Sequence, residues 1–252
     1  MLFPDNSLLR FVCWLLLTLA LWWVMNRVRP NPVLVVTRVM KEDYAGAREL
    51  AERILRRRWL LPSVRFTLIY NVALANLSEG RLEQCLQNLN SISQPRSKIE
   101  RQLVLGLRSS ALLMLRRDLR KASDLLEESM RIREWPSDGK KLAALLVLQG
   151  RVEEAAAIFN RPPRRTSRLR LGNITAFVSD KINRALEGYY AGVYLEELGD
   201  SKAARVAYLG ATETGLRAHY VTLAREALER LPPPLRDERP SLRPVVRDSE
   251  SV

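Results

Sequence analysis

The sequence is poor in the residues that most catalytic and metal sites need. It has two cysteines and one histidine in 252 residues. Two cysteines cannot supply a disulfide framework or a four-cysteine zinc site. The single histidine, His219, leaves few candidates for a general base or a metal ligand. The composition therefore argues against the common metalloenzymes and Ser-His hydrolases, and we predict no catalytic residue, no metal site and no cofactor.

Glycine and phenylalanine are also scarce. There are 11 glycines and 5 phenylalanines, whereas leucine, alanine, arginine and glutamate are frequent. These frequent residues favour helices, and a β-sandwich would need more turn residues, so the composition predicts an all-α fold. The sequence has no Gly-x-Gly-x-x-Gly, His-Glu-x-x-His or Gly-x-Ser-x-Gly motif. We therefore expect a protein that is not an enzyme.

One long apolar run lies near the N-terminus, where residues 11–25 carry no charge. With its flanks, over residues 8–28, the run would form a helix about 31 Å long, which matches the hydrocarbon core of a bilayer. Residues suited to the membrane interface stand near its ends: Arg10, Trp22, Trp23 and Arg27. The sequence therefore predicts a single transmembrane helix over residues 8–28, after a short tip at residues 1–7.

Positive charge is concentrated after the apolar run. Arg27, Arg29, Arg38 and Lys41 follow it, whereas Arg10 alone precedes it. By the positive-inside rule, the rest of the chain lies in the cytoplasm, at the inner membrane if the cell is bacterial. A cleavable signal peptide is one competing interpretation, but the residues after the run offer no small-x-small cleavage site. A buried core helix is the other, but the run is apolar on every face and holds three tryptophans.

Residues 31–231 contain five similar blocks. Each block has an apolar helix, a short turn, and a second helix with a small residue in its first turn. The small residues recur at intervals of 38, 37, 33 and 49 residues and are Ala47, Cys85, Ala122, Ala155 and Ala204. A pair of helices this short cannot bury its apolar faces alone, so the sequence predicts stacked helix–turn–helix pairs.

The turns of the blocks have their own pattern. Gly80, Gly150 and Gly199 mark three of them, because glycine takes a positive φ without strain. In the third block, Arg117 stands where glycine is expected. An amphipathic helix at residues 219–231 is predicted to cap the array, and residues 232–252, which are rich in proline, are predicted to be a disordered tail.

The blocks resemble tetratricopeptide repeats. The second block has residues of that family's pattern at Ala73, Gly80, Cys85 and Leu89. The fourth block has them at Ala143, Gly150, Ala155 and Phe159, and the fifth at Gly192, Gly199, Ala204, Tyr208 and Ala211. The first and third blocks depart from the pattern. The resemblance implies an α-solenoid of about five repeats over residues 31–231.

The same resemblance implies a non-catalytic adaptor, because proteins of this family commonly present a groove to protein partners. The groove is formed by the first helix of each pair, and its candidate contact residues are Asn71, Asn76, Arg108, Tyr190 and Tyr194. Membrane-anchored bacterial proteins of this kind often assist envelope biogenesis or complex assembly. The expected partners are therefore a protein in the groove and the membrane around the N-terminal helix.

A formal net charge of +13 points to anionic partners. Four arginines close to the predicted span are candidates for anionic lipid: Arg53, Arg56, Arg57 and Arg58. Five more between the fourth and fifth blocks are candidates for lipid or phosphate: Arg161, Arg164, Arg165, Arg168 and Arg170. A solvated helix end and a solvated loop are the alternatives for the two clusters.

A second functional hypothesis is association with nucleic acid or the ribosome. It would use the five arginines of residues 161–170 together with Arg116, Arg117, Arg120 and Lys121. No aromatic residue is interleaved with the arginines of residues 161–170, although base stacking would require one. The protein-binding adaptor is therefore the favoured hypothesis.

Overall fold

The computed structural model describes residues 14–19, 32–57, 60–92, 94–161 and 173–233, with the side chains of residues 173–180 excepted. These ranges contain helices and no strand, so the predicted all-α class is confirmed. Residues 14–19 are helical (α1). The helices that follow are α2 (Pro32–Met40), α3 (Tyr44–Leu55), α4 (Pro62–Ser78), α5 (Leu82–Asn90), α6 (Lys98–Met114), α7 (Leu119–Ile132), α8 (Asp138–Val147), α9 (Val152–Phe159), α10 (Asn173–Glu197), α11 (Ser201–Thr212) and α12 (His219–Arg230).

Across the described ranges, none of the helices is both long enough and apolar enough to cross a membrane. Most of the predicted span at residues 8–28 lies outside the described residues, and only residues 14–19 of it are described. The tip at residues 1–7 and almost all of the predicted tail, from residue 234 onward, also lie outside them.

The helices from α2 to α11 follow one another as five pairs. Within each pair, the two helices are joined by a short connection and pack against each other; the pairs are α2–α3, α4–α5, α6–α7, α8–α9 and α10–α11. The first helices of neighbouring pairs also make contact, as α2 does with α4, α4 with α6, and α8 with α10. Each of these helices therefore packs against the other helix of its own pair, and the first helices also pack against a neighbouring pair.

The chain divides into two compact units. The described parts of Met1–Glu134, with Arg217–His219, form the first unit and contain the pairs from α2 to α7. The described parts of Trp135–Leu216 and Tyr220–Val252 form the second unit, with the pairs from α8 to α11. The repeated blocks predict one domain over residues 31–231 and carry no signal for this division. In the second unit, α10 is a 25-residue helix that begins at Asn173, well before the fifth block.

All five turns within the pairs close with the same backbone geometry. A residue with positive φ ends the first helix of each pair: Glu42, Gly80, Arg116, Gly150 and Gly199. The N–H of the next residue donates to the carbonyl five residues earlier, as Arg81 does to Asn76 at 2.8 Å and Asp200 does to Leu195 at 3.0 Å. This six-to-one bond satisfies a carbonyl that the helix end leaves free.

The third turn differs from the sequence prediction. The left-handed residue is Arg116, with φ 49°, and not Arg117. The turn holds one residue more than the others, because Asp118 also has φ 49° and precedes the start of α7. Ala122 is nevertheless buried against the preceding helix, where its carbonyl accepts from Ser109 Oγ at 2.8 Å.

The five small residues all lie in the interior. Ala47 is 1% exposed, and Cys85, Ala122, Ala155 and Ala204 are 0% exposed. Burial raises the pKa of the Cys85 thiol to about 12, so the group stays protonated and serves as a small apolar side chain. The small residue predicted for each pair is therefore buried in all five pairs.

Larger side chains at these positions are expected to destabilise the protein. Ala155→Leu and Ala204→Leu should each lower the free energy of unfolding by about 1–3 kcal/mol, because three additional carbons have no space between the packed helices. Urea denaturation followed by circular dichroism measures the change. Ala157→Leu is the control, because Ala157 is on the exposed side of α9. If the control is equally destabilised, helix contact is not the cause.

Candidate functional site

A cleft of about 770 Å³ lies on α3, α4 and α5 in the first unit. Its lining combines charged, amide and apolar side chains: Arg48, Glu52, Leu55, Arg65, Ile69, Val72, Asn76, Arg81, Gln84, Gln87, Asn88 and Ser91. The apolar residues come from α3 and α4. The amides of Gln84, Gln87 and Asn88 come from α5, whose opposite face carries the buried residues Leu82, Cys85, Leu86 and Leu89.

Arg48 connects the first two helical pairs within this cleft. Its side chain is 14% exposed, and its guanidinium donates to Asn76 Oδ1 at 3.2 Å and forms an ion pair with Glu79. The Nε of Arg81 lies 3.2 Å from the same Glu79 carboxylate. Burial, and then the charge of Arg81, lowers the pKa of Arg48, whereas Glu52 raises it. An arginine nevertheless keeps its charge in proteins, so Arg48 is a fixed cation at one side of the cleft.

The cleft carries more positive than negative charge. Arg48, Arg65 and Arg81 line it, whereas Glu52 is the one acidic residue in its lining. Arg65, Glu52 and Arg81 are exposed, as are Gln84 and Gln87. Amides donate and accept hydrogen bonds together, as a peptide backbone does. The lining therefore suits an extended polypeptide that carries acidic groups.

Two of the five predicted groove residues line described clefts. Asn76 lies in the cleft of α3, α4 and α5. Arg108 lies in a smaller one of about 170 Å³ that α5, α6 and α7 line, and it donates to Asn90 Oδ1 at 2.9 Å. Gln87 lines both clefts. Asn71 is buried in α4 and donates from Nδ2 to the carbonyl of Thr67 at 2.7 Å.

The other two predicted groove residues are in the second unit, and both are buried. Tyr190 is 0% exposed and its ring lies 5.4 Å from that of Tyr189. Tyr194 is 4% exposed and stacks on Phe159, with the ring centroids 4.2 Å apart. These rings fill the space between α10 and its neighbours, and they leave little surface for a partner.

The amides of α5 were not among the residues predicted from the sequence. The resemblance to tetratricopeptide repeats implied partner contacts on the first helix of each pair, whereas Gln84, Gln87 and Asn88 lie on the second helix of the second pair. A signal for them was present, because these amides alternate with the four apolar positions that face the interior. Their grouping with Arg48 and Arg65 depends on three helices and is visible only in the tertiary structure.

Of the membrane-proximal arginines, Arg53, Arg56 and Arg57 are exposed, and Arg53 forms an ion pair at 2.8 Å with Glu49 one turn earlier in α3. Arg58 lies outside the described residues. In the second cluster Arg161 is exposed, whereas the other members lie outside the described residues: Arg164, Arg165, Arg168 and Arg170.

The remaining residues singled out from the sequence are spread over the first unit. Arg116, Arg120 and Lys121 are exposed, and Arg117 forms an ion pair at 2.7 Å with Glu83. His219 is the first residue of α12 and lies against Gly80. Within the described ranges, no group of three or more histidine, cysteine or acidic residues could hold a metal ion.

Comparisons of the chain with protein family models, curated proteins and solved structures find no match.

Proposed function

We propose that this protein is a membrane-anchored, non-catalytic adaptor. Residues 8–28 form its transmembrane anchor, and residues 31–231 form a tetratricopeptide-like α-solenoid on the cytoplasmic side. The solenoid binds a segment of a protein partner, and the cleft of α3, α4 and α5 is its principal binding site. In a bacterial cell, such an adaptor would act in envelope biogenesis or complex assembly at the inner membrane.

The observation that carries this proposal is the composition of the cleft. An apolar floor of Leu55, Ile69 and Val72 accommodates side chains, and the amides of α5 offer hydrogen bonds to a peptide backbone. Binding sites commonly combine such an apolar surface with a few placed polar groups. The arginines add long-range attraction for acidic segments, which accelerates association.

The repeated local geometry supports the solenoid part of the proposal. Each of the five pairs has the same six-to-one turn and the same buried small residue. Repeat proteins build continuous binding surfaces from such units, because each unit contacts its neighbours along the array.

Site-specific photo-crosslinking in cells that produce the full-length protein tests the proposed site. A photoreactive residue at Gln84 or at Gln87 should capture a protein and give an adduct of the same size at both positions. Arg65→Glu in either background should reduce that adduct by about tenfold, because charge reversal at the edge of the cleft repels acidic groups.

Asp124 provides the matched control position. It is exposed on α7 in the same unit and lines neither of the two clefts. The same photoreactive residue at Asp124 should give no adduct of that size. If all three positions capture the same proteins, or if Arg65→Glu leaves the adducts unchanged, the cleft is not the binding site.

A further inference from the structure

Three first helices of the first unit begin at one common edge. A cleft of about 140 Å³ is lined by Pro62 and Phe66 of α4, by Ile92 and Arg96 after α5, and by Glu100 of α6. The starts of α4 and α6 and the end of α5 therefore meet there. Arg48, near the start of α3, donates to Asn76, near the end of α4, so the turn that joins α2 to α3 lies at that end of α4. Because α2 ends at this turn and packs on α4, its start lies toward the start of α4, at this edge.

The end of α7 reaches the same place, because Gln102 near the start of α6 donates from Nε2 to the carbonyl of Arg133 at 2.9 Å. We call this region the proximal edge. It consists of the start of α2 and of the described residues 56–57, 60–65, 91–101 and 131–134. The opposite edge consists of the three turns within the pairs, at residues 41–44, 79–83 and 115–121.

The two edges differ in charge. The four charged segments of the proximal edge hold eight lysines and arginines against two glutamates, Glu100 and Glu134. The opposite edge holds six lysines and arginines against five acidic residues. Positive charge is therefore concentrated on one edge of the unit, whereas the other edge is close to neutral.

The proximal edge also exposes large apolar side chains between its cations. Leu61 is 69% exposed and Ile99 is 60% exposed, each at the beginning of a helix. Val33 and Leu34, in the first turn of α2, are 62% and 53% exposed. Basic residues interspersed with exposed apolar side chains are typical of surfaces that rest at the interface of an anionic membrane.

The proximal edge is also the edge at which the apolar N-terminal run joins the helical pairs. The predicted span ends at residue 28, and α2 begins at Pro32. Four residue steps span at most about 14 Å in an extended chain. If residues 8–28 are anchored in a bilayer, the start of α2 is held within that distance of its surface.

We propose that the proximal edge is a membrane-binding surface. Its cations, among them Arg56, Arg57, Arg96 and Lys98, contact anionic lipid headgroups, and Leu61 and Ile99 enter the interface between headgroups and acyl chains. The surface would hold the first unit against the bilayer in a defined orientation. This inference rests on the membrane anchor of the proposed function. Arg65 and Ser91 of the proximal edge also line the cleft proposed for the protein partner, so the variants below leave both residues unchanged.

Hydrogen–deuterium exchange of the full-length protein in lipid nanodiscs tests the proposal. Nanodiscs that contain one third phosphatidylglycerol should slow exchange in peptides covering residues 60–66 and 94–101 by about tenfold, compared with nanodiscs of phosphatidylcholine alone. Peptides from the opposite edge should exchange equally in both. Raising the salt from 0.1 to 0.5 M should remove most of the difference, because screening shortens the reach of the charges.

Two variants that each lose four positive charges distinguish binding through the proximal edge from a general effect of net charge. Arg56, Arg57, Arg96 and Lys98 are replaced by glutamine in the first variant, which should lose the protection. Arg116, Arg117, Arg120 and Lys121 are replaced by glutamine in the second, which should keep it. Glutamine is nearly as good a helix former as arginine and lysine, so the helical content should not change.

Three outcomes would show that the proximal edge is not a membrane-binding surface. They are equal protection of the proximal-edge peptides in both lipids, equal loss of this protection in both variants, and the same protection when RNA is added to phosphatidylcholine nanodiscs. The last result would show a general affinity for polyanions. A different result is expected if residues 8–28 do not anchor the protein. In that case the protein would dissociate in high salt from nanodiscs of either composition.

Discussion

Gly192→Ala is expected to destabilise the second unit by about 2–3 kcal/mol. A Cβ atom at Gly192 would lie 2.7 Å from Cζ of Tyr208 and closer still to Cδ1 and Cε1. Tyr208 is 1% exposed, so its ring cannot move away without displacing its neighbours. Overpacking of this kind typically costs 1–3 kcal/mol and here exceeds the usual gain of about 1 kcal/mol from alanine in a helix.

Gly210→Ala is the matched control for this prediction. Gly210 lies in α11, and no atom stands within 4 Å of a Cβ added there. The same substitution should therefore stabilise the protein by about 0.5–1 kcal/mol, because alanine loses less backbone entropy on folding. Urea denaturation of both variants should give changes of opposite sign. Stabilisation of both variants would show that helix propensity, and not the contact with Tyr208, determines the effect at Gly192.

Tyr208→Ala is expected to have a larger effect, with a loss of about 4 kcal/mol in the free energy of unfolding. The substitution removes a buried ring that packs on Gly192 and on Tyr189, and large cavities cost 3–5 kcal/mol. It also removes the hydroxyl that donates to Glu196 at 2.6 Å. Burial, and then the hydrogen bond to Glu196, raises the pKa of Tyr208, so the phenol is protonated at neutral pH and remains the donor.

Two further variants separate the ring from its hydroxyl and from the glycine. Tyr208→Phe keeps the ring and should cost about 1.5–2 kcal/mol, because the hydrogen bond that it removes has a carboxylate as its acceptor. In the Tyr208→Ala background, Gly192→Ala should cost much less than in the parent, with a coupling energy of about 2 kcal/mol. If the effects of the two substitutions are additive, Gly192 and Tyr208 are not in contact.

The pairing of helices and the location of their contacts were determined by the sequence itself. The blocks repeat a small residue at one position of the second helix, and all five of these residues are buried. Gly80, Gly150 and Gly199 were expected at positive φ and have φ near 80°. These features depend on backbone preferences within a few residues, so they can be deduced from local sequence.

The backbone conformation of the third turn cannot be deduced from the local sequence. Arg116 and Asp118 are not glycines, and their positive φ is imposed by the two helices that the turn must connect. The strain at these two residues is offset by the packing of the helices that the turn connects, such as the burial of Ala122 and Leu126 in α7. The residue that adopts the left-handed conformation therefore depends on the tertiary structure.

The candidate sites depend even more on tertiary structure. Tyr190 and Tyr194 have the residue type of partner contacts, but packing against Tyr189 and Phe159 buries them. The amides of α5 become one site with Arg48 and Arg65 because three helices meet, and the proximal edge gathers cations from segments far apart in sequence. Periodicity indicates which side of a helix is apolar. Which polar sides face one another is determined by the packing of the helices, because side chains from different pairs come together only after the pairs have stacked.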